Sequence, residues 1–216
     1  MAYNAGVTTT QSYLTVEREW GPEEILDKGS RFVAFLNSAP DREAAEAYIA
    51  GLRARYPDAT HVCYAWRLGK GDESEHRYND DGEPGGTAGL PIYNEIRRRD
   101  YLGVVVAVVR YFGGVKLGTG GLARAYGRAA RRVLDASEPK KIVLTDPATI
   151  SFPFESTGEV MQVVRRMELE IIGQEHTPEG TRLTVKVPRG QMDALRVTLL
   201  EAGAGKVTLI PGKPGS

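Results

Sequence analysis

Apolar side chains recur along this chain with two different periods, and the switches between them mark out the elements. From Gly103 to Tyr111 the residues run almost without polar interruption, as expected of a strand buried on both faces. β-branched or alternating runs at Tyr13 to Arg18, Arg31 to Asn37 and His61 to Leu68 predict further strands, and Glu75 to Tyr78 a short edge strand. Spacings of three and four predict helices. One spans about Asp41 to Tyr56, carries Ala45, Tyr48, Ile49 and Leu52 on one face, and is stopped by Pro57. Two more span about Thr87 to Arg99 and about Gly120 to Ala136. Together these predict an α+β fold built on one mainly antiparallel sheet.

A seam falls near residues 137–147, where Ser137-Glu138-Pro139 closes a helical pattern and Asp146-Pro147 follows a short apolar run. Beyond it, Thr149 to Phe154 reads as a strand. Ser156 is placed to cap a helix, with Glu159 as capping-box partner and Val160, Val163, Val164 and Met167 on one face. Leu169 to His176 and Arg182 to Val187 flank the turn Thr177-Pro178-Glu179-Gly180 and predict a hairpin. A helix over Gln191 to Glu201, with Leu195, Leu199 and Leu200 apolar, and a strand over Lys206 to Ile210 complete the order β-α-β-β-α-β. That is the order of a ferredoxin-like split βαβ unit. The expected domains are 12–138 and 141–211, followed by a disordered tail, Pro211 to Ser216.

Composition excludes several classes. With one cysteine and three histidines in 216 residues, neither a disulfide scaffold nor a zinc module is available, and no metal or cofactor is expected. The longest apolar stretch, Leu102 to Val109, falls far short of the roughly 20 residues of a membrane span. Met1 to Thr10 lacks a basic and an apolar signal region, so the expected compartment is the cytoplasm, away from membranes. The 28 basic and 28 acidic residues balance, yet their distribution is uneven. Residues 97–132 hold Arg97, Arg98, Arg99, Arg110, Lys116, Arg124, Arg128, Arg131 and Arg132 against Asp100 alone, whereas Asp72 to Glu83 holds six acids and only Arg77. Either the two runs neutralise each other across the fold, or the basic run forms a binding face.

Candidate chemistry concentrates in two glycine-rich segments. Arg110-Tyr-Phe-Gly-Gly-Val-Lys-Leu-Gly-Thr-Gly-Gly-Leu-Ala-Arg-Ala-Tyr126 joins a buried strand to a helix. Gly113, Gly114, Gly118, Gly120 and Gly121 allow close approach, and the helix start with Arg110, Lys116 and Arg124 supplies positive potential, so the segment reads as an anion cradle or as a tight crossover. Tyr111, Phe112 and Tyr126 either stack unpaired bases or fill the core. The P-loop pattern is absent, and Gly118-Thr-Gly120-Gly-Leu-Ala123 matches a dinucleotide fingerprint without the strand-borne acid that should follow. In the second segment, Asn79 to Gly89, Asp80, Asp81 and Glu83 offer ion pairs with Arg110 and Lys116, turn chemistry or a divalent-cation site, and Thr87 is a candidate helix cap. The two segments are expected side by side in one groove that His61, the one candidate general base, also lines. No GxSxG motif supports acyl transfer, and no catalytic residue is assigned.

Four stretches together resemble the YigZ/IMPACT family: Ser30-Arg-Phe-Val-Ala34, Asp58 to Trp66, Asp80 to Gly89 and Arg110 to Tyr126. The resemblance spans nearly the whole N-terminal domain, and the last 70 or so residues resemble the small domain of bacterial, YigZ-like members. It implies an N-terminal fold like the second domain of a small-subunit ribosomal protein, a ferredoxin-like C-terminal fold, and a link to translational regulation. The expected function is therefore an RNA- or ribosome-associated protein that binds phosphates through its basic glycine loop, with a partner in the translation machinery. The alternatives are a small-molecule or nucleotide-binding enzyme using the same groove, and a protein-binding adaptor.

Overall fold

A computed structural model describes residues 11–70, 73–202 and 206–212. In chain order the elements are β1 (Ser12–Thr15), β2 (Trp20–Asp27), β3 (Ser30–Ser38), α1 (Arg42–Arg55), β4 (His61–Lys70), β5 (Glu73–Asn79), α2 (Gly89–Arg98), β6 (Val104–Tyr111), α3 (Thr119–Ala136), β7 (Lys140–Val143), β8 (Thr145–Phe152), α4 (Thr157–Arg166), β9 (Glu170–Thr177), β10 (Gly180–Pro188), α5 (Met192–Glu201) and β11 (Thr208–Pro211). The chain divides into two compact units, Tyr13–Ile142 and a second that joins the chain from Val143 onward with the described residues Gln11 and Ser12.

The first unit is built on a five-stranded sheet of order β2-β3-β6-β4-β5, antiparallel throughout. β6 sits at its centre because both of its faces are apolar. Val104, Val106 and Val108 pack beneath Ile92 and Ile96 of α2 and Ala125, Ala129 and Val133 of α3. Val105, Ala107 and Val109 pack beneath Ala45, Ile49 and Leu52 of α1 on the other face. Each fully buried aliphatic side chain contributes about 1.5–3 kcal/mol of gross burial energy.

Two details depart from the periodicity. The strand expected over Tyr13 to Arg18 ends at Thr15, and β2 follows it unforeseen. β2 is an edge strand that opens with Gly21-Pro22, carries a bulge between Trp20 and Glu23, and buries only Ile25, so it shows no alternation to read. α2 begins at Gly89, where a Cβ would lie 2.6 Å from the Asn79 backbone nitrogen, and Thr87 is not its cap. β7 pairs with β1 in a two-stranded ribbon.

The second unit has a four-stranded antiparallel sheet of order β11-β8-β10-β9. Val160, Val163 and Val164 of α4 and Leu195 and Leu199 of α5 cover one face of it. β8 begins at Thr145, so Asp146-Pro147 lies inside a strand, opposite Val187 and Lys186. The Ser156 side chain makes no cap bond, and the Thr157 hydroxyl donates to the Phe154 carbonyl instead. Leu200 is 63% exposed because α5 turns it away from the sheet. Pro211, read as tail, pairs with Ala148 in β11, while residues 213–216 lie outside the described residues, as do Met1 to Thr10 and Asp72 of the acidic run. No described helix is long and apolar enough to cross a membrane.

Candidate functional site

Strand parity decides where the site forms. Arg110 continues the face of Val104, Val106 and Val108, so its side chain lies on the α2–α3 side of the sheet, only 5% exposed. Its guanidinium donates to Glu83 Oε1 and, over 3.3 Å, to the buried Ser30 hydroxyl, while its Nε has no partner among the described residues. Glu83 belongs to the loop before α2 and is itself 8% exposed. The same carboxylate oxygen accepts from the Tyr126 hydroxyl at 2.8 Å and lies 3.9 Å from His61 Nε2. A buried ion pair therefore joins the two glycine-rich loops. Removing one partner of such a pair typically costs about 3–5 kcal/mol, because the other charge is left uncompensated.

The remaining acids of the loop are occupied by its own architecture. Asp80 accepts from the amides of Gly86 at 2.8 Å and of Ala88 and Gly89 at 2.9 Å, holding the start of α2. Asp81 takes a two-pronged contact from Arg53 of α1 at 2.7 and 3.0 Å and a 2.6 Å bond from the Val62 amide. Burial alone would raise its carboxyl, but the Arg53 and Val62 hydrogen bonds and the neighbouring Arg53 and His61 charges outweigh burial and hold it below the ordinary carboxylate range. The Asp81 carbonyl accepts from His61 Nδ1 at 2.6 Å, so Nδ1 is the donor in this contact. The Thr87 hydroxyl donates to the Pro84 carbonyl at 2.6 Å. Among the described residues no group of three His, Cys, Asp or Glu side chains could hold a metal ion.

Beside the ion pair opens a cleft of about 350 Å³, lined by Glu83, Pro84, Arg110, Phe112, Lys116, Leu117, Gly118, Thr119 and Leu122. Its wall is fixed by glycine packing: a Cβ on Gly113 would lie 1.9 Å from the Gly29 carbonyl carbon, so only glycine fits at this crossing. Phe112, 48% exposed, is held by its amide's 3.0 Å bond to the Thr60 hydroxyl. α3 opens at the cleft behind Gly118, with no side-chain cap and no acid in its first turn. Arg124, one turn into the helix, reaches back over Gly120.

The basic run is largely neutralised, and apart from the Arg110–Glu83 pair by other acids than those of the loop. Arg128 pairs with Asp27, Arg132 with Glu23, Arg98 and Arg131 with Glu95, and Arg99 with Glu95 and Asp135. Lys116, Arg124 and Arg97 form no ion pair among the described residues. Glu75 and Asp81 of the acidic run answer to Arg42 and Arg53 of α1.

With this geometry in place, the chain can be compared with known proteins. The model of the Impact N-terminal domain matches residues 28–134. YigZ, an IMPACT family member of Escherichia coli, is 33% identical over 87% of this chain and 91% of that protein. The chain belongs to the IMPACT family. Another IMPACT family member, from Thermus thermophilus, is 42% identical over 74% of this chain and 86% of that protein. A crystal structure of a hypothetical protein, 28% identical, superposes with a TM-score of 0.60 over 95% of this chain and 99% of that one, so the mixed α/β, two-domain architecture is shared.

In this IMPACT family protein the sequence-derived site residues separate into groups. Glu83, Arg110, Lys116 and Gly118 line the cleft, and Gly120, Gly121 and Arg124 form the adjoining start of α3. His61 and Asp81 line a neighbouring hollow with Arg53 and Thr60. Asp80 and Thr87 serve the loop itself, and Gly113 serves packing, while Gly114 has open space around its Cα. Tyr111 lies on the opposite side of the sheet from Arg110, packs near α1 and donates to Asp58 at 3.2 Å. Tyr126 is fully buried, so of the three aromatics only Phe112 faces the cleft. Ser30, Leu117 and Leu122 complete the site without having been singled out. Ser30 opens one of the family stretches, but its partners, Arg110 and the Gly113 amide at 3.2 Å, lie some 80 residues away.

Proposed function

We propose that this protein is an RNA- or ribosome-associated factor acting in translational regulation, which seats phosphate groups at the glycine-rich start of α3. One observation carries the reading: Lys116 and Arg124 flank an uncapped helix N-terminus and have no acidic partner among the described residues, whereas most cations of the same stretch are paired. Membership of the IMPACT family supports the translational setting. The ion pairs of Arg128, Arg131 and Arg132 limit the basic face, so about two phosphates are engaged rather than a long polyanion track. Binding of an unstructured RNA, followed by fluorescence anisotropy between 50 and 200 mM salt, should give a log–log slope near −1.4, about −0.7 per contact. Lys116→Ala with Arg124→Ala should bring the slope close to zero. Absence of RNA and ribosome binding at low salt overturns the reading.

The same proposal includes domains at 12–138 and 141–211, a ribosomal-protein-like first fold and a ferredoxin-like second one, in the cytoplasm. The element order β8-α4-β9-β10-α5-β11 and the sheet order β11-β8-β10-β9 support the ferredoxin-like assignment.

A further inference from the structure

We infer that the cleft beside the Glu83–Arg110 pair receives the base of a single nucleotide, a nucleoside 5′-phosphate unit whose ring stacks on Phe112 while its phosphate stays at the mouth with Lys116. This rests on the RNA reading of the same loop and adds which part of the ligand enters.

Size and lining select the occupant. About 350 Å³ lies at the lower end of the roughly 300–1,000 Å³ typical of small-molecule sites, enough for a base with its sugar and too little for two stacked bases. Phe112 presents a half-exposed ring on a backbone pinned at Thr60 and Gly29, with Leu117 and Leu122 completing an apolar wall. The Arg110 guanidinium lies 5.6 Å from the centre of the Phe112 ring. A planar aromatic ligand gains most from such a wall.

Charge layout sets the orientation. Glu83 accepts both of its hydrogen bonds on Oε1, leaving Oε2 without a partner among the described residues, and Arg110 Nε is buried without one. Both residues line the cleft, and Glu83 offers it an acceptor. A neutral heterocycle carrying N–H groups answers this carboxylate, whereas an aliphatic ligand leaves it unmet. The carboxylate repels a phosphate from this end. The mouth, with Lys116, the Thr119 hydroxyl and the first amides of α3, attracts one.

The full-length protein tests this with a 5′-phosphorylated ribodecamer carrying one 2-aminopurine, whose fluorescence falls when it stacks. Wild type is expected to bind and quench. Phe112→Ala, at an exposed position, should abolish the quenching and weaken binding about tenfold, with an unchanged salt slope. Thr119→Tyr, at the exposed first residue of α3, should fill the cleft and do the same, and an abasic decamer should bind wild type as weakly as Phe112→Ala binds the intact one. Adenosine 5′-monophosphate competing with the decamer identifies free nucleotide as a source, and its failure to compete alongside normal quenching identifies the strand. If both variants bind and quench like wild type while Lys116→Ala with Arg124→Ala weakens binding, the base does not enter, and the inference falls with the RNA reading intact. If wild type binds neither probe, both fall.

Discussion

Alanine at position 113 would have to occupy space already filled by the Gly29 carbonyl, whose atoms lie 1.9 and 2.1 Å from the required Cβ. Gly113→Ala is therefore expected to cost more than about 2 kcal/mol in a denaturant titration, since two backbones must move apart. Gly114→Ala, with nothing within 4 Å but a φ of +85°, should cost about 1–2 kcal/mol from left-handed strain alone. Asp81 gives a pH-dependent case. Its folded carboxyl titrates below the unfolded value of about 3.9, so its stabilisation is complete above that value and disappears as pH falls through the folded pKa. Asp81→Asn should lose about 1–3 kcal/mol at pH 7, and urea melts repeated down to pH 3 should show the difference closing. Of these residues, the Glu83–Arg110 attraction was legible as opposite charge in two glycine loops. The roles of Asp80 and Asp81 were not, because hydrogen-bonding to amides or to Arg53 on a distant helix leaves no mark in the local pattern.

Elements were legible wherever one face is buried continuously. The Val run of β6 and the spacing of Ala45, Ile49 and Leu52 in α1 identify themselves, since burial imposes period two or period 3.6. β2 escaped because an edge strand with a bulge and one buried residue carries no period. The start of α2 escaped for another reason: its capping group, Asp80, stands six residues before the first amide it holds and nine before that of Gly89, beyond any local capping motif. Asp80→Ala strips acceptors from three amides and should destabilise the first unit by about 2 kcal/mol in chemical denaturation, while Thr87→Ala, losing one bond to Pro84, should cost less than about 1.5 kcal/mol.

For the whole molecule, the two-part organisation follows from separate cores, one set around β6 and one between the β8–β11 sheet and its two helices. A fragment spanning 141–211 is expected to fold alone, giving dispersed amide signals and a cross-strand contact between Arg182 and Ser151; an undispersed spectrum would count against an independent domain. Neutral overall composition concealed how charge is spent. Acids far away in sequence, Asp27, Glu23 and Glu95, neutralise Arg128, Arg131 and Arg132 of α3, so the run of like charge legible in the sequence shrinks in three dimensions to Arg97, Lys116 and Arg124 among the described residues. Such long-range pairing is a property of the tertiary fold, and neither spacing nor composition encodes it.

Cys63, the chain's one cysteine, is wholly enclosed in β4, its sulfur 3.0 Å from the Asp80 carbonyl and 3.3 Å from the Tyr126 hydroxyl. Desolvation pushes its thiol up, so the reactive thiolate is scarce as long as the sheet stays shut. A disulfide reagent at neutral pH then acts as a clock for opening of the first unit, and its labelling should run roughly a thousandfold or more slower than in the unfolded chain. Any molecule that occupies the folded cleft should slow the clock by mass action, in proportion to its concentration over its dissociation constant. A single native thiol thus reports occupancy with no label added.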